Sequence, residues 1–174
     1  MDKVKVTYPS GHIYEGEWLD NKPHGKGKMT YPNGASHDGE WMNGKAHGIG
    51  KEIYADGSRY EGHFVSDKKH GMGKMAYADG SIYEGEFIEG IQRGKCKVTF
   101  KNGLIYEGEW LDDHPHGNGK LTTTDGKIHK GKWVNGEFQG KLKIGINGEA
   151  IAEEVAENVV ESVIGGIFKF FAGL

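Results

Sequence analysis

The chain has 174 residues, 36% hydrophobic and 27% charged, enough apolar material for one ordinary folded domain. A formal net charge of −3 leaves no basic surplus for nucleic acid, and a single cysteine, Cys96, excludes an internal disulfide framework and favours an intracellular setting. The N-terminus, Met1-Asp-Lys-Val-Lys-Val6, holds no apolar signal core, and no run of about 18 uncharged apolar residues is present to span a bilayer.

The first clear element is a strand over Ile13–Leu19, carrying Tyr14-Glu-Gly-Glu-Trp18. The same pattern returns as Tyr60-Glu-Gly-His-Phe64, Tyr83-Glu-Gly-Glu-Phe87 and Tyr106-Glu-Gly-Glu-Trp110. His37-Asp-Gly-Glu-Trp41 and His129-Lys-Gly-Lys-Trp133 are altered copies, and every step is 23 residues. A fixed period of this size marks a repeat architecture. Most of the 30 glycines follow the period, which signals a packing requirement rather than low complexity.

Each unit reads strand, loop, strand, turn. In the first, Asp20–His24 is expected as the loop and Gly25–Tyr31 as the return strand. Pro32-Asn33-Gly34 then turns into the next unit. The Ser10-Gly11, Asn33-Gly34, Asp56-Gly57, Asp79-Gly80, Asn102-Gly103 and Asp125-Gly126 pairs are expected to supply positive φ in tight hairpin turns. Strand alternation puts Tyr14, Gly16 and Trp18 on one face and Glu15, Glu17 and Leu19 on the other. Gly27, Met29 and Tyr31 join the aromatic face, where glycine leaves room for a neighbouring ring. Glu and Lys on the opposite face are expected to pair across strands, each pair worth roughly 0.2–1 kcal/mol. Twelve strands at about 4.8 Å spacing would make a sheet roughly 55–60 Å long.

Tyr-Glu-Gly-Glu-Trp, Asn-Gly-Lys, His-Gly-x-Gly and Tyr-Pro-Asn-Gly, repeating over about residues 5–148, resemble the MORN repeat (membrane occupation and recognition nexus) family. The resemblance implies an all-β repeat fold, an elongated, twisted, single-layer antiparallel β-meander with a concave aromatic face. It also implies non-catalytic scaffolding within cytoskeletal, ciliary or membrane-associated assemblies. Residues 1–148 are assigned to this sheet and 149–174 to a separate ending.

In that ending, Glu149–Ile164 changes to helical spacing, with Ala152, Val155, Ala156, Val159, Val160, Val163 and Ile164 on one face. Gly165-Gly166 ends or bends the helix, and an apolar tail follows with Ile167, Phe168, Phe170, Phe171 and Leu174. Three roles fit the tail: a cap on the sheet, a docking element for a partner or a second copy, or a membrane-surface anchor. Five glutamates against one lysine over 149–174, a net −4, argue against the anchor.

The partner-binding surface expected is the aromatic ladder: Tyr14, Trp18, Tyr31, Trp41, Tyr54, Tyr60, Phe64, Tyr77, Tyr83, Phe87, Tyr106, Trp110 and Trp133. A peptide or helix of a protein partner would lie along it. Its register would be fixed where the ladder departs from its own pattern, at His37, Arg93 and His129. Phospholipid binding, through the repeats or the Phe-rich end, is the alternative.

No catalytic, metal or cofactor residue is assigned. His24, His47 and His70 stand about 9–10 Å apart along a sheet, too far for an ion needing each nitrogen at about 2.0–2.1 Å. Each is expected to close its loop and hydrogen-bond locally. The glutamates recur with the scaffold and read as a solvated face. Cys96 stands where other units have glycine and reads as a small packing residue.

Overall fold

The structure, a computed structural model, describes residues 2–139 and the backbone of Gly145–Ile146 and Glu149–Ala150. The strands are β1 Asp2–Thr7, β2 Ile13–Leu19, β3 Lys22–Thr30, β4 Ser36–Met42, β5 Lys45–Ile53, β6 Arg59–Val65 and β7 Lys68–Ala76. They continue as β8 Ile82–Ile88, β9 Ile91–Thr99, β10 Ile105–Leu111, β11 His114–Thr122, β12 Ile128–Val134 and β13 Glu137–Phe138. These thirteen form an all-β antiparallel meander whose order in the sheet is the order of the chain. No helix occurs among the described residues. The chain divides into two units, residues 1–91 and 92–174.

The strands register on glycine. In the first unit, direct cross-strand partners run Gly16, Gly27, Gly39, Gly50, Gly62, Gly73 and Gly85 without a break. In the second they run Cys96, Gly108, Gly119 and Gly131. The reason lies above the row. A Cβ at Gly27 would stand 2.2 Å from the Tyr14 hydroxyl and 2.5 Å from Cζ, so the phenol ring lies directly on the bare backbone. Tyr60 covers Gly73, and Tyr106 covers Gly119, in the same way. Each ring reaches across to donate from its hydroxyl to the carbonyl three residues on. Tyr14 bonds Glu17 at 2.8 Å, Tyr60 bonds His63 at 3.0 Å, Tyr83 bonds Glu86 at 2.9 Å and Tyr106 bonds Glu109 at 2.8 Å. Burial pushes the Tyr14 and Tyr60 phenols up to about 12, keeping both as neutral donors.

Two kinds of turn alternate. The loop expected over Asp20–His24 is a two-residue turn, Asp20-Asn21, with φ of 48° and 58°, and the return strand begins at Lys22. Asn43-Gly44, Ser66-Asp67, Glu89-Gly90, Asp112-Asp113 and Asn135-Gly136 repeat it with both residues at positive φ. This is the turn whose twist suits adjacent antiparallel strands. The second turn residue is tied to the preceding repeat, as in Gly44 N–H to Pro23 O at 2.9 Å and Gly136 N–H to Pro115 O at 2.9 Å. At the Ser10-Gly11 type of site the loop has three residues. The Gly11 N–H bonds Tyr8 O at 2.9 Å, and glycine alone takes positive φ, +82°.

The His-Gly-x-Gly segments are β-bulges inside the return strands. Between the Gly16–Gly27 and Trp18–Pro23 pairs, β3 carries two extra residues, with Gly25 at φ +58°. The second glutamate of the motif fills the bulge. A Cβ on Gly25, Gly48 or Gly117 would stand 2.2 Å from the Oε2 atoms of Glu17, Glu40 and Glu109 respectively. The Asn118 N–H donates to Glu109 Oε1 at 3.2 Å. These glutamates therefore brace the backbone, a more specific role than the solvated face expected. The first glutamates do pair across strands, as in Lys5–Glu15 at 2.6 Å and Lys74–Glu84 at 3.1 Å. Such exposed pairs contribute little.

Beyond β13, Gly145–Ile146 (β14) pairs with Glu149–Ala150 (β15), so the helix expected from Glu149 does not include its first two residues. The rest of that helix and the tail Ile167, Phe168, Phe170, Phe171 and Leu174 lie outside the described residues.

Gly27→Ala should lower the thermal midpoint by several degrees, because the ring of Tyr14 must leave its seat, an over-packing cost of about 1–3 kcal/mol. Calorimetry or circular dichroism checks this. An unchanged midpoint would refute the seating of the ring.

Candidate partner-binding face

Rings from successive repeats interlock on the glycine-bearing face. In the first unit Tyr14 meets Trp41 at a centroid distance of 5.6 Å, His37 meets Trp41 at 5.0 Å and Phe64 at 4.5 Å, and Tyr60 meets Phe87 at 5.0 Å. All of these are edge-to-face contacts, the favoured geometry for aromatic pairs. In the second unit Tyr106 meets Trp133 at 5.4 Å and Trp133 meets Phe138 at 5.1 Å. The Trp41 indole N–H donates to Gly27 O at 2.8 Å.

This interlocking divides the expected ladder into two layers. Tyr14, Trp41, Tyr60, Phe64, Tyr83, Phe87, Tyr106, Trp110 and Trp133 are each 5% exposed or less. Their surface is used in packing. Trp18, Tyr31, Tyr54 and Tyr77 are only partly covered. The three tyrosines stand one repeat apart, each just before a three-residue loop: Tyr31 N–H bonds Ala35 O and Tyr54 N–H bonds Ser58 O, both at 2.9 Å. Arg93 forms an ion pair with Asp112. His37 does replace the repeat tyrosine, with its ring over Gly50, and is 2% exposed.

The middle of the face in the first unit holds polar residues that repeat-by-repeat reading of the motifs missed. Glu52 is the direct cross-strand partner of both His37 and Tyr60, so it shares their face. It accepts a hydrogen bond from the Tyr54 hydroxyl. The Lys69 ammonium lies over three rings, 5.1 Å from the centroid of Tyr54, 5.6 Å from Tyr60 and 5.8 Å from Phe87. A signal was available. Lys69 occupies the column of Pro23, Ala46, Gln92 and Pro115, and Glu52 the column of Met29, Met75, Val98 and Leu121. Aligning the copies column by column exposes both.

Other chemistry finds little support. Among the described residues no group of three His, Cys, Asp or Glu side chains is placed to hold a metal. The Nδ1 atoms of His24, His47, His70 and His116 are buried without a hydrogen-bond partner, so that atom does not make the local bond expected of it. Glu17, His24, Lys26, Glu40, Met42 and His47 line an open depression of about 420 Å³. Its acids and histidines recur with the bulges. Cys96 is buried, and burial pushes its thiol up to about 12, which leaves it protonated and unreactive.

His37 gives the face a pH dependence. Its Nε2 is buried without a partner, and burial lowers its pKa below 6.5, although Glu52, Asp67 and Asp38 pull the other way. The unfolded chain then binds a proton that the folded chain resists. The contribution is intact above pH 6.5 and is lost as pH falls through the lowered folded value. His37→Tyr restores the repeat residue and should melt with a smaller loss between pH 7.5 and pH 5 than the wild type, where histidine titrates. Parallel pH curves for the two proteins would contradict this.

Comparison with curated proteins gives no match. Among solved structures, the chain is similar to the SAS-4 (dCPAP) TCP domain of Drosophila melanogaster, solved in complex with a proline rich motif of Ana2 (dSTIL). Identity is 15%, coverage is 75% of this chain and 77% of that one, and the TM-score is 0.49. It is also similar to the wild-type TCP10 domain of Danio rerio CPAP, at 15% identity, coverage of 75% and 72%, and a TM-score of 0.29. The MORN repeat family matches five consecutive segments, residues 14–36, 37–59, 60–82, 83–105 and 106–128. These segments, with the 23-residue antiparallel units that they build, show that the chain belongs to the MORN-repeat family.

Proposed function

We propose that the chain is a scaffold without catalytic activity, and that it binds a segment of a partner protein on its aromatic face. The observation that supports this most is the layering of the rings. A buried ladder fixes the backbone, and Trp18, Tyr31, Tyr54 and Tyr77 stand on it partly exposed. Tyrosine and tryptophan on a rigid base are the residues that carry binding energy at protein interfaces. The repeated acids support the scaffold reading too, because Glu17, Glu40 and Glu109 are used to brace bulges.

The layering also decides which substitutions test binding. Trp41 and Phe64 are 5% and 2% exposed, so truncating them tests folding. Tyr31→Ala with Tyr54→Ala reaches the accessible layer. In a pull-down from a native extract, with quantitative mass spectrometry, the double variant should lose most specifically captured proteins while its melting midpoint moves only a few degrees. Retention of the same partners at wild-type yield would contradict the proposal.

A further inference from the structure

We infer that Glu52 sets the register of the bound segment, and that the group it takes is the guanidinium of a partner arginine. This rests on the partner-binding reading above and adds the chemistry of the anchor.

Repeats that are alike give a bound segment no unique position. Something must differ, and the difference has to stand on the binding face. At the Glu52 position the other units carry Met29, Met75, Val98 and Leu121, all buried. Glu52 replaces them with a carboxylate that is partly exposed among rings, opposite His37 and Tyr60. Among the described residues it accepts a hydrogen bond from Tyr54 and forms no ion pair. A carboxylate offers about four acceptor sites, so this one is under-used. Its field, with that of Asp67, reaches Tyr31 and His37. Lys69 nearby is directed to the rings of Tyr54, Tyr60 and Phe87.

An acceptor-rich anion beside tyrosine faces fits arginine better than other side chains. The guanidinium is planar, donates to a carboxylate through two parallel N–H groups, and stacks on aromatic rings. Lysine brings charge without the paired geometry. An acidic or wholly apolar segment would cover Glu52 and leave it unpaired, which is strongly unfavourable. The same residue therefore rewards one register and penalises the others.

The test selects a random-peptide phage library on the immobilised full chain, with Glu52→Met in parallel. Methionine is the residue of Met29 and Met75, so this variant should fold, and its melt confirms that. Peptides enriched on the wild type should carry arginine beside apolar residues. The best of them should bind Glu52→Met at least about tenfold more weakly. Its own Arg→Gln analogue should lose a similar factor against the wild type and little more against Glu52→Met. Peptides without arginine enrichment, or equal affinity for both proteins, would overturn the anchor and leave the binding face standing. If no peptide is enriched, or if the binders ignore Tyr31→Ala with Tyr54→Ala, the partner-binding reading falls and the anchor with it.

Discussion

The contact on which this fold depends is a phenol ring laid flat on two glycines of adjacent strands. A two-stranded hairpin has no second layer to pack against. Here the missing layer is supplied by the tyrosine of the same hairpin, and glycine is what lets the ring come down to the backbone. Glycine inside a strand ordinarily weakens it. The Tyr14 ring over Gly16 and Gly27 offsets that cost with buried apolar surface and a hydrogen bond to Glu17 O. The tryptophan or phenylalanine of the next repeat then closes on the tyrosine edge-to-face, as Trp41 does on Tyr14 and Phe87 on Tyr60. Each repeat is completed by its neighbour, which is how repeat proteins derive their stability.

The rest of the motif serves this seating. The tyrosine hydroxyl needs a carbonyl three residues on, and the strand must carry that carbonyl to it. The bulge at Gly25 brings the return strand past the extra residues and restores the Trp18–Pro23 pairing. Glu17 fills the concavity that the bulge leaves. The two-residue turn at Asp20-Asn21 then reverses the chain with both residues at positive φ. Tyr-Glu-Gly-Glu-Trp and His-Gly-x-Gly are therefore two halves of one device.

Much of this was legible in the chain. The period gave the units, and alternation placed Tyr14, Gly16 and Trp18 together because a strand has no other way to present them. The Asp20–His24 boundary was not legible. Asp20 and Asn21 take positive φ without a glycine to announce it, and His24-Gly25 resembles a loop when it is an irregularity within a strand. The division of the ladder into covered and accessible rings was also hidden. Whether Tyr60 or Tyr54 is exposed depends on where Phe87 of the next repeat lands, and that is a tertiary fact. Glu52 and Lys69 were hidden because each stands outside the recurring motifs.

The face of the first unit thus carries a covered layer of rings and a partly exposed one, with the departures from pattern at buried His37, at Glu52 and at Lys69 on that same face. The fold requires the ring and the glycine to act as one unit. A double-mutant cycle on Tyr60→Ala and Gly73→Ala measures that coupling by equilibrium unfolding. A strongly non-additive pair is expected, with the glycine change costly under the ring and nearly neutral without it, a coupling of about 1–3 kcal/mol. Costs that simply add would show that the ring and the glycine do not depend on each other.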